Sequence, residues 1–272
     1  MTSCNRPSGY THSLAIKPSK AAHSSVNGIS MYYEIYGSGT PLVLIHGGGS
    51  TIQTSFGRVI PELARNHQVI AVELQAHGRT SDRNADLTFE QDADDVATLL
   101  HNIGITKADF FGFSNGGTTT MQIAIRHPQI VNKIILGSAL TKRSGMPAGF
   151  WEFMNHASIE QMPEQLKTAY REVSGDTNGL QIMHDRDVKR MVNFKDIPDS
   201  LISAIQVPAL IIVGDKDVVS PEHAIALSRL IPNARLAIIP GGHGEYIGEI
   251  TTLQPGKNPE ATGVQLVLDF LQ

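Results

Sequence analysis

Apolar positions along this chain fall into three rhythms, and each rhythm predicts a different kind of element. From Val26 to Tyr36 they alternate, with Ile29, Met31, Tyr33 and Ile35 on one face, which predicts a strand. Asn27-Gly28 and Gly37-Ser38-Gly39 read as the turns around it. Apolar runs follow at Pro41 to Ile45, Val69 to Val72, Ala108 to Phe111 and Pro208 to Gly214, with further strands at Lys133 to Gly137 and Ala234 to Ile239. Runs of this length suit strands of a parallel sheet buried on both faces. Between them the period lengthens to that of a helix. Ser55 to Asn66 reads as a helix interrupted at Pro61. From Thr88 the positions Ala93, Val96, Ala97, Leu100 and Ile103 recur at helical spacing, with a Thr88/Gln91 capping box and Gly104 as the stop. Ser220-Pro221 opens a helix to Leu230, and Gly263 to Gln272 closes the chain with another.

Strands alternating with helices imply βαβ crossovers: an α/β fold with a doubly wound, mostly parallel sheet. The first strands have no helix between them and predict an antiparallel hairpin at one edge. Residues 140–207 lack strand patterning and carry helical stretches punctuated by Gly and Pro; they predict a helical cap inserted between two strands. The domain reading is a flexible tail at 1–25, a core at 26–139 and 208–272, and the cap at 140–207.

One stretch carries more than fold information. Gly112-Phe113-Ser114-Asn115-Gly116 fits G-x-S-x-G between a strand and a helix. In that turn a serine sits in a strained conformation above the sheet, and glycines let strand and helix approach closely. A serine nucleophile needs a general base, and the base needs an orienting carboxylate. In open α/β sheets the functional loops lie beyond the carboxyl ends of the strands. His243, in Gly241-Gly242-His243-Gly244, meets that condition. His101, His127, His156, His184 and His223 lie on or beside helices and compete less well. Asp215 and Asp217 both follow a strand; Asp215 is placed to satisfy turn backbone donors, which favours Asp217 as the acid. An oxyanion needs preorganised N–H donors. Asn115, after the nucleophile, is one candidate, and His46-Gly47-Gly48-Gly49 supplies the other, through Gly48 with Gly49 as rival. Trp151, Phe150, Phe153, Met154 and Met183 in the cap are candidates to line an apolar substrate pocket.

Charge and composition exclude other classes. A net charge of −4 gives no basic field for nucleic acid or anionic membrane. No apolar run approaches the ~18 residues that span a bilayer. Cys4 is the only cysteine, so no internal disulfide forms. The glycine loop lacks Gly-Lys-Ser/Thr, and the histidines lack zincin spacing, so neither a phosphate loop nor a metal site is expected. No cofactor is expected. The expected location is cytoplasmic, with an exported form that has lost a leader as the alternative, and the expected partner is a small-molecule substrate of a monomer or homodimer.

These features together resemble the α/β-hydrolase superfamily over Val26 to Gln272. The residues that carry the resemblance are His46-Gly47-Gly48-Gly49, His77-Gly78-Arg79-Thr80, the elbow, Gly214-Asp215-Lys216-Asp217 and Gly241-Gly242-His243. The resemblance implies Ser114 as nucleophile, His243 as base and the second aspartate, Asp217, as acid; it implies a structural role for His77 to Thr80. Glu73 stands where the family more often has Asp, and residues 245–260 form a longer segment than usual before the last helix. The implied activity is cofactor-free hydrolysis of a small, fairly apolar carboxylic ester or lactone through an acyl-enzyme. A carbon–carbon hydrolase or perhydrolase would use the same triad, and a non-turnover ligand receptor on this scaffold is the alternative of another class.

Overall fold

The computed structural model describes residues 16–175 and 178–272. Among the described residues eight strands form one sheet: β1 (Lys20–Val26), β2 (Ile29–Tyr36), β3 (Thr40–Ile45), β4 (His67–Val72), β5 (Ala108–Phe113), β6 (Val131–Gly137), β7 (Ala209–Gly214) and β8 (Ala234–Ile239). Their spatial order is β1-β2-β4-β3-β5-β6-β7-β8. β1 and β2 pair antiparallel, β2 pairs antiparallel with β4, and every later pairing is parallel.

The continuous apolar runs are explained by two cores. Val43, Ile70, Phe110, Ile134 and Ile211 pack into one face of the sheet. Their chain neighbours Leu44, Ala71, Phe111, Ile135 and Leu210 pack into the other. Both faces are covered by helices, so a strand reads as apolar at every position. Truncating a side chain such as Phe110 to Ala, at 0% exposure, costs about 3–5 kcal/mol.

The helices are α1 (Ile52–Phe56), α2 (Ile60–Leu63), α3 (Phe89–Asn102), α4 (Asn115–Arg126), α5 (Ala148–Asn155), α6 (Glu164–Ser174), α7 (Gly179–Val192), α8 (Asp199–Ser203), α9 (Pro221–Leu230) and α10 (Glu260–Leu271). The single helix read over Ser55 to Asn66 is two short ones, because Thr51 caps the first and Pro61 sits in the opening turn of the second. The Thr88 cap is half a box: Thr88 Oγ1 accepts from the Gln91 N–H, but the Gln91 side chain donates instead to Asp95 Oδ1, 2.9 Å away. The tail reading also needs correction. Residues 1–15 lie outside the described residues, but Lys20–Val26 is strand β1, turned at Asn27-Gly28. Its polar sequence hid it, since an edge strand with one neighbour and mostly exposed side chains shows little alternation. No helix among the described residues is long and apolar enough to cross a membrane.

Helices α5 to α8 connect β6 to β7. They reach back to the core at a few points: the Tyr170 hydroxyl donates to the Ala76 carbonyl at 3.3 Å, Arg186 pairs with Asp82 at 2.6 Å, and Asp187 meets the loop after β3.

Candidate active site

β5 ends at Phe113, and the chain turns at once into α4. Ser114, between them, has φ 55° and ψ −121°, a conformation a residue with a Cβ rarely adopts. The turn is held by Ser114 N–H donating to Gly137 O at 2.8 Å and by Gly117 N–H donating to Ser114 O at 2.9 Å. The flanking glycines are obligatory. A Cβ on Gly112 would lie 2.0 Å from Gly116 O, and one on Gly116 would lie 2.1 Å from Ile45 O.

His243 follows β8 and Asp217 follows β7, so the parallel sheet delivers both to the same end as Ser114. His243 Nε2 lies 3.0 Å from Ser114 Oγ, and His243 Nδ1 lies 2.7 Å from Asp217 Oδ1. An ionised carboxylate only accepts, so Nδ1 carries the proton and Nε2 presents its lone pair to the serine hydroxyl. Asp217 also accepts from Val219 N–H at 3.0 Å, and its Oδ2 accepts from the Ser138 hydroxyl at 2.6 Å. Burial works to raise Asp217, but His243, Ser138 and Val219 outweigh it and hold the carboxyl below its ordinary value. Asp215 faces away, accepting the turn N–H of Gly241 at 2.8 Å.

Two residues behind Asp217 had no signature in the sequence. Ser138, at the end of β6, has φ 48°. Its hydroxyl hydrogen goes to Asp217, so the Tyr246 hydroxyl, 2.8 Å away, must donate to Ser138 Oγ. Tyr246 is 2% exposed and belongs to the segment after His243. That segment turns through left-handed Gly244 and Gly248 and docks where Gly263 of α10 touches Tyr246 O.

The glycine loop after β3 lies against the elbow. A Cβ on Gly47 would stand 3.3 Å from Ser114 Cβ, and one on Gly48 would stand 2.5 Å from Asn115 Nδ2. Gly49 is corrected as an oxyanion donor: its N–H is engaged by Asp187 Oδ2 at 2.6 Å. His46 closes the base of the loop as a neutral ring. Nδ1 faces Gly47 O at 2.7 Å, Nε2 accepts the Leu74 N–H at 3.0 Å, and burial pushes its pKa down to about 3. The His77 to Thr80 loop wraps Glu73, whose carboxylate accepts from Arg79 N–H at 2.7 Å and from the Arg79 guanidinium at 2.8 Å. Burial raises Glu73 above its ordinary value despite these donors.

A cavity of about 230 Å³ runs from Gly48 and Asn115 into the helical insertion. Phe153, Met154 and Met183 line it, together with Met162, Leu166, Met191, His184 and Asp187. Phe150 and Trp151 are corrected as lining residues. They turn to the other side of α5, where Trp151 packs with Phe194, donates its indole N–H to Arg143 O at 3.0 Å and stacks under the Arg143 guanidinium. Apolar composition alone does not say which face of a short helix meets the cavity. Among the described residues no group of three or more His, Cys, Asp or Glu side chains is placed to hold a metal.

Comparison with known proteins gives the family and the fold. Residues 40–186 match the alpha/beta hydrolase fold family. A human protein named serine hydrolase BPHL is 26% identical over 234 residues, covering 82% of this chain and 79% of the relative. A Metapseudomonas resinovorans protein named 2-hydroxy-6-oxo-6-(2'-aminophenyl)hexa-2,4-dienoic acid hydrolase is 30% identical over 119 residues, covering 42% of this chain and 41% of its own. The structure of an enol-lactonase from Burkholderia xenovorans superposes with a TM-score of 0.69 at 21% identity, over 92% of this chain and 99% of that one.

Proposed function

Because this chain belongs to the α/β-hydrolase fold family, we propose that it is a serine hydrolase cleaving a small, fairly apolar carboxylic ester or lactone. The observation that carries the reading is the continuous hydrogen-bond line from Asp217 through His243 to a serine held at a strained elbow. Ser114 Oγ attacks the carbonyl carbon while His243 Nε2 takes its proton. The negative charge that develops on the carbonyl oxygen is met by the N–H groups of Gly48 and Asn115. Collapse of the tetrahedral species breaks the bond to the alkoxy oxygen, which receives the proton from His243. Water, deprotonated by His243, then attacks the acyl carbon, and Ser114 regains its hydrogen as the acid leaves. Asp217 stays ionised throughout, stabilising the imidazolium.

The cavity wall supports this reading over carbon–carbon hydrolysis of a dienoate. The Metapseudomonas resinovorans relative is named for a dienoic acid, which is an anion at neutral pH. Here the lining carries Asp187 and His184 and, among the described residues, no Lys or Arg side chain. Arg190, nearby, is 2% exposed along its side chain and committed to Asp92 and Asp187. A carboxylate-bearing substrate would lose its hydration with no ammonium or guanidinium group in the wall to replace it. A neutral ester or lactone meets no such penalty. The test is a side-by-side assay of p-nitrophenyl esters, a neutral lactone and a β-diketone with wild type and Ser114→Ala. Ester or lactone turnover that vanishes in the variant is expected; diketone cleavage without ester cleavage, or full activity in the variant, overturns the reading.

A further inference from the structure

Asp187 belongs to α7 of the insertion, yet it ends on the loop beside Ser114. Its Oδ2 accepts both the Gly49 N–H at 2.6 Å and the His77 Nε2–H at 2.9 Å, and its Oδ1 accepts from Arg190 Nη2 at 2.5 Å. Arg190 Nη1 reaches Asp92 Oδ2 at 2.7 Å. His77 Nδ1 faces the carbonyl of Gln75 at 2.8 Å. A carbonyl and a carboxylate both accept only, so both ring nitrogens of His77 carry hydrogen and the ring is a cation. Two buried cations and two buried carboxylates thus form one near-neutral cluster, in contact with the backbone of the glycine loop.

On the reading of Ser114 as nucleophile, we propose that Asp187 is a positioning residue for oxyanion stabilisation. Gly47-Gly48-Gly49 has no side chain to anchor it, and glycine backbone is free to rotate. The carboxylate fixes the Gly49 N–H and so fixes the neighbouring Gly48 peptide against Asn115, where a Cβ on Gly48 would already touch both Asn115 and Asp187. The same carboxylate would repel a developing oxyanion. His77 and Arg190 hold its charge, which lets an acid sit at this place without opposing the chemistry. Burial works to raise Asp187, but these two cations and the Gly49 N–H outweigh it and keep the carboxyl well below its ordinary value. The consequence is that the insertion does more than line the cavity: it completes the geometry at the reacting carbonyl.

The experiment compares wild type, Asp187→Ala and Asp187→Asn, with kcat expressed per active site counted by fluorophosphonate titration run to completion. The asparagine oxygen can still accept from Gly49 and His77; alanine cannot. Loss of loop positioning should lower kcat per site by about ten- to a hundredfold in Asp187→Ala, below the ~100–1,000-fold of deleting an oxyanion donor outright, with KM within about threefold. Asp187→Asn should recover at least about fivefold of that loss. A purely structural Asp187 would reduce the number of titratable sites and leave kcat per site unchanged, and that result overturns the proposal. If Asp187→Ala does not fold, the wild-type Gly49 amide decides by NMR. A downfield proton protected from exchange supports the bond, and rapid exchange overturns it. Absence of ester turnover in wild type would instead remove the hydrolase reading, leaving the two failures distinguishable.

Discussion

Two aspartate–histidine pairs stand within this site, and only one can move a proton. Asp217–His243 and Asp187–His77 have similar separations, 2.7 and 2.9 Å. The difference lies at the ring's other nitrogen. In His243 it faces a serine hydroxyl, which can donate, so the ring is a neutral base. In His77 it faces a backbone carbonyl, which cannot, so both ring nitrogens donate and the protonated form is favoured. Exposure follows the same division. The His243 side chain is 29% exposed, whereas His77 is fully buried. The partner of the second nitrogen, more than the presence of a carboxylate, decides whether a histidine is machinery or scaffold.

Breaking the first pair should have the largest effect. Asp217→Asn keeps the shape but favours the wrong tautomer of His243, so kcat should fall by about 10⁴-fold with the fold intact, as read by ester kinetics and circular dichroism. Breaking the second pair should act on stability. His77→Gln leaves Asp187 short of a buried cation, and loss of one partner of a buried pair costs about 3–5 kcal/mol, read from urea unfolding. This loss has a pH signature. Burial alone would lower His77, but Asp187 outweighs it and raises the ring above its ordinary 6.5. A raised histidine contributes stability fully below pH 6.5 and loses it as pH climbs through the folded value. The gap between wild type and His77→Gln should therefore be wider at pH 5.5 than at pH 9.

The first pair can be sharpened from behind. Tyr246→Phe removes one hydrogen bond from the Ser138 hydroxyl that braces Asp217, a net change of about 1 kcal/mol. That corresponds to a fall in kcat of roughly fivefold, with no change in acyl preference. The smallest effects separate the two faces of α5. Phe153→Ala should shift chain-length preference by a few-fold, because Phe153 lines the cavity. Trp151→Ala should leave that preference unchanged and reduce stability by about 1–3 kcal/mol, because the indole packs on Phe194 and Arg143 instead.

Legibility in the sequence divides along the same line. Ser114, Asp217 and His243 stand within four residues of the ends of strands made mostly of apolar residues, and such strands advertise themselves. The rule that loops at their carboxyl ends converge then brings the three side chains together without any long-range contact being known. Strand β1 escaped because an exposed edge needs few apolar residues. Asp187 escaped for a deeper reason: its partners Gly49 and His77 lie 138 and 110 positions away in the chain, and no local pattern encodes such a bond. Trp151 misled because composition reports that a helix is apolar without reporting the direction of each side chain. The strand-borne half of the site is written locally, and the insertion-borne half is written in tertiary contacts.

The central claim is that His243 activates Ser114, and covalent labelling tests it most directly. Incubation with a fluorophosphonate, followed by mass spectrometry of the digested protein, should show one adduct, on the peptide holding Ser114. Labelling should be lost in Ser114→Ala and strongly slowed in His243→Ala. An adduct on another residue, or undiminished labelling of Ser114→Ala, would contradict it.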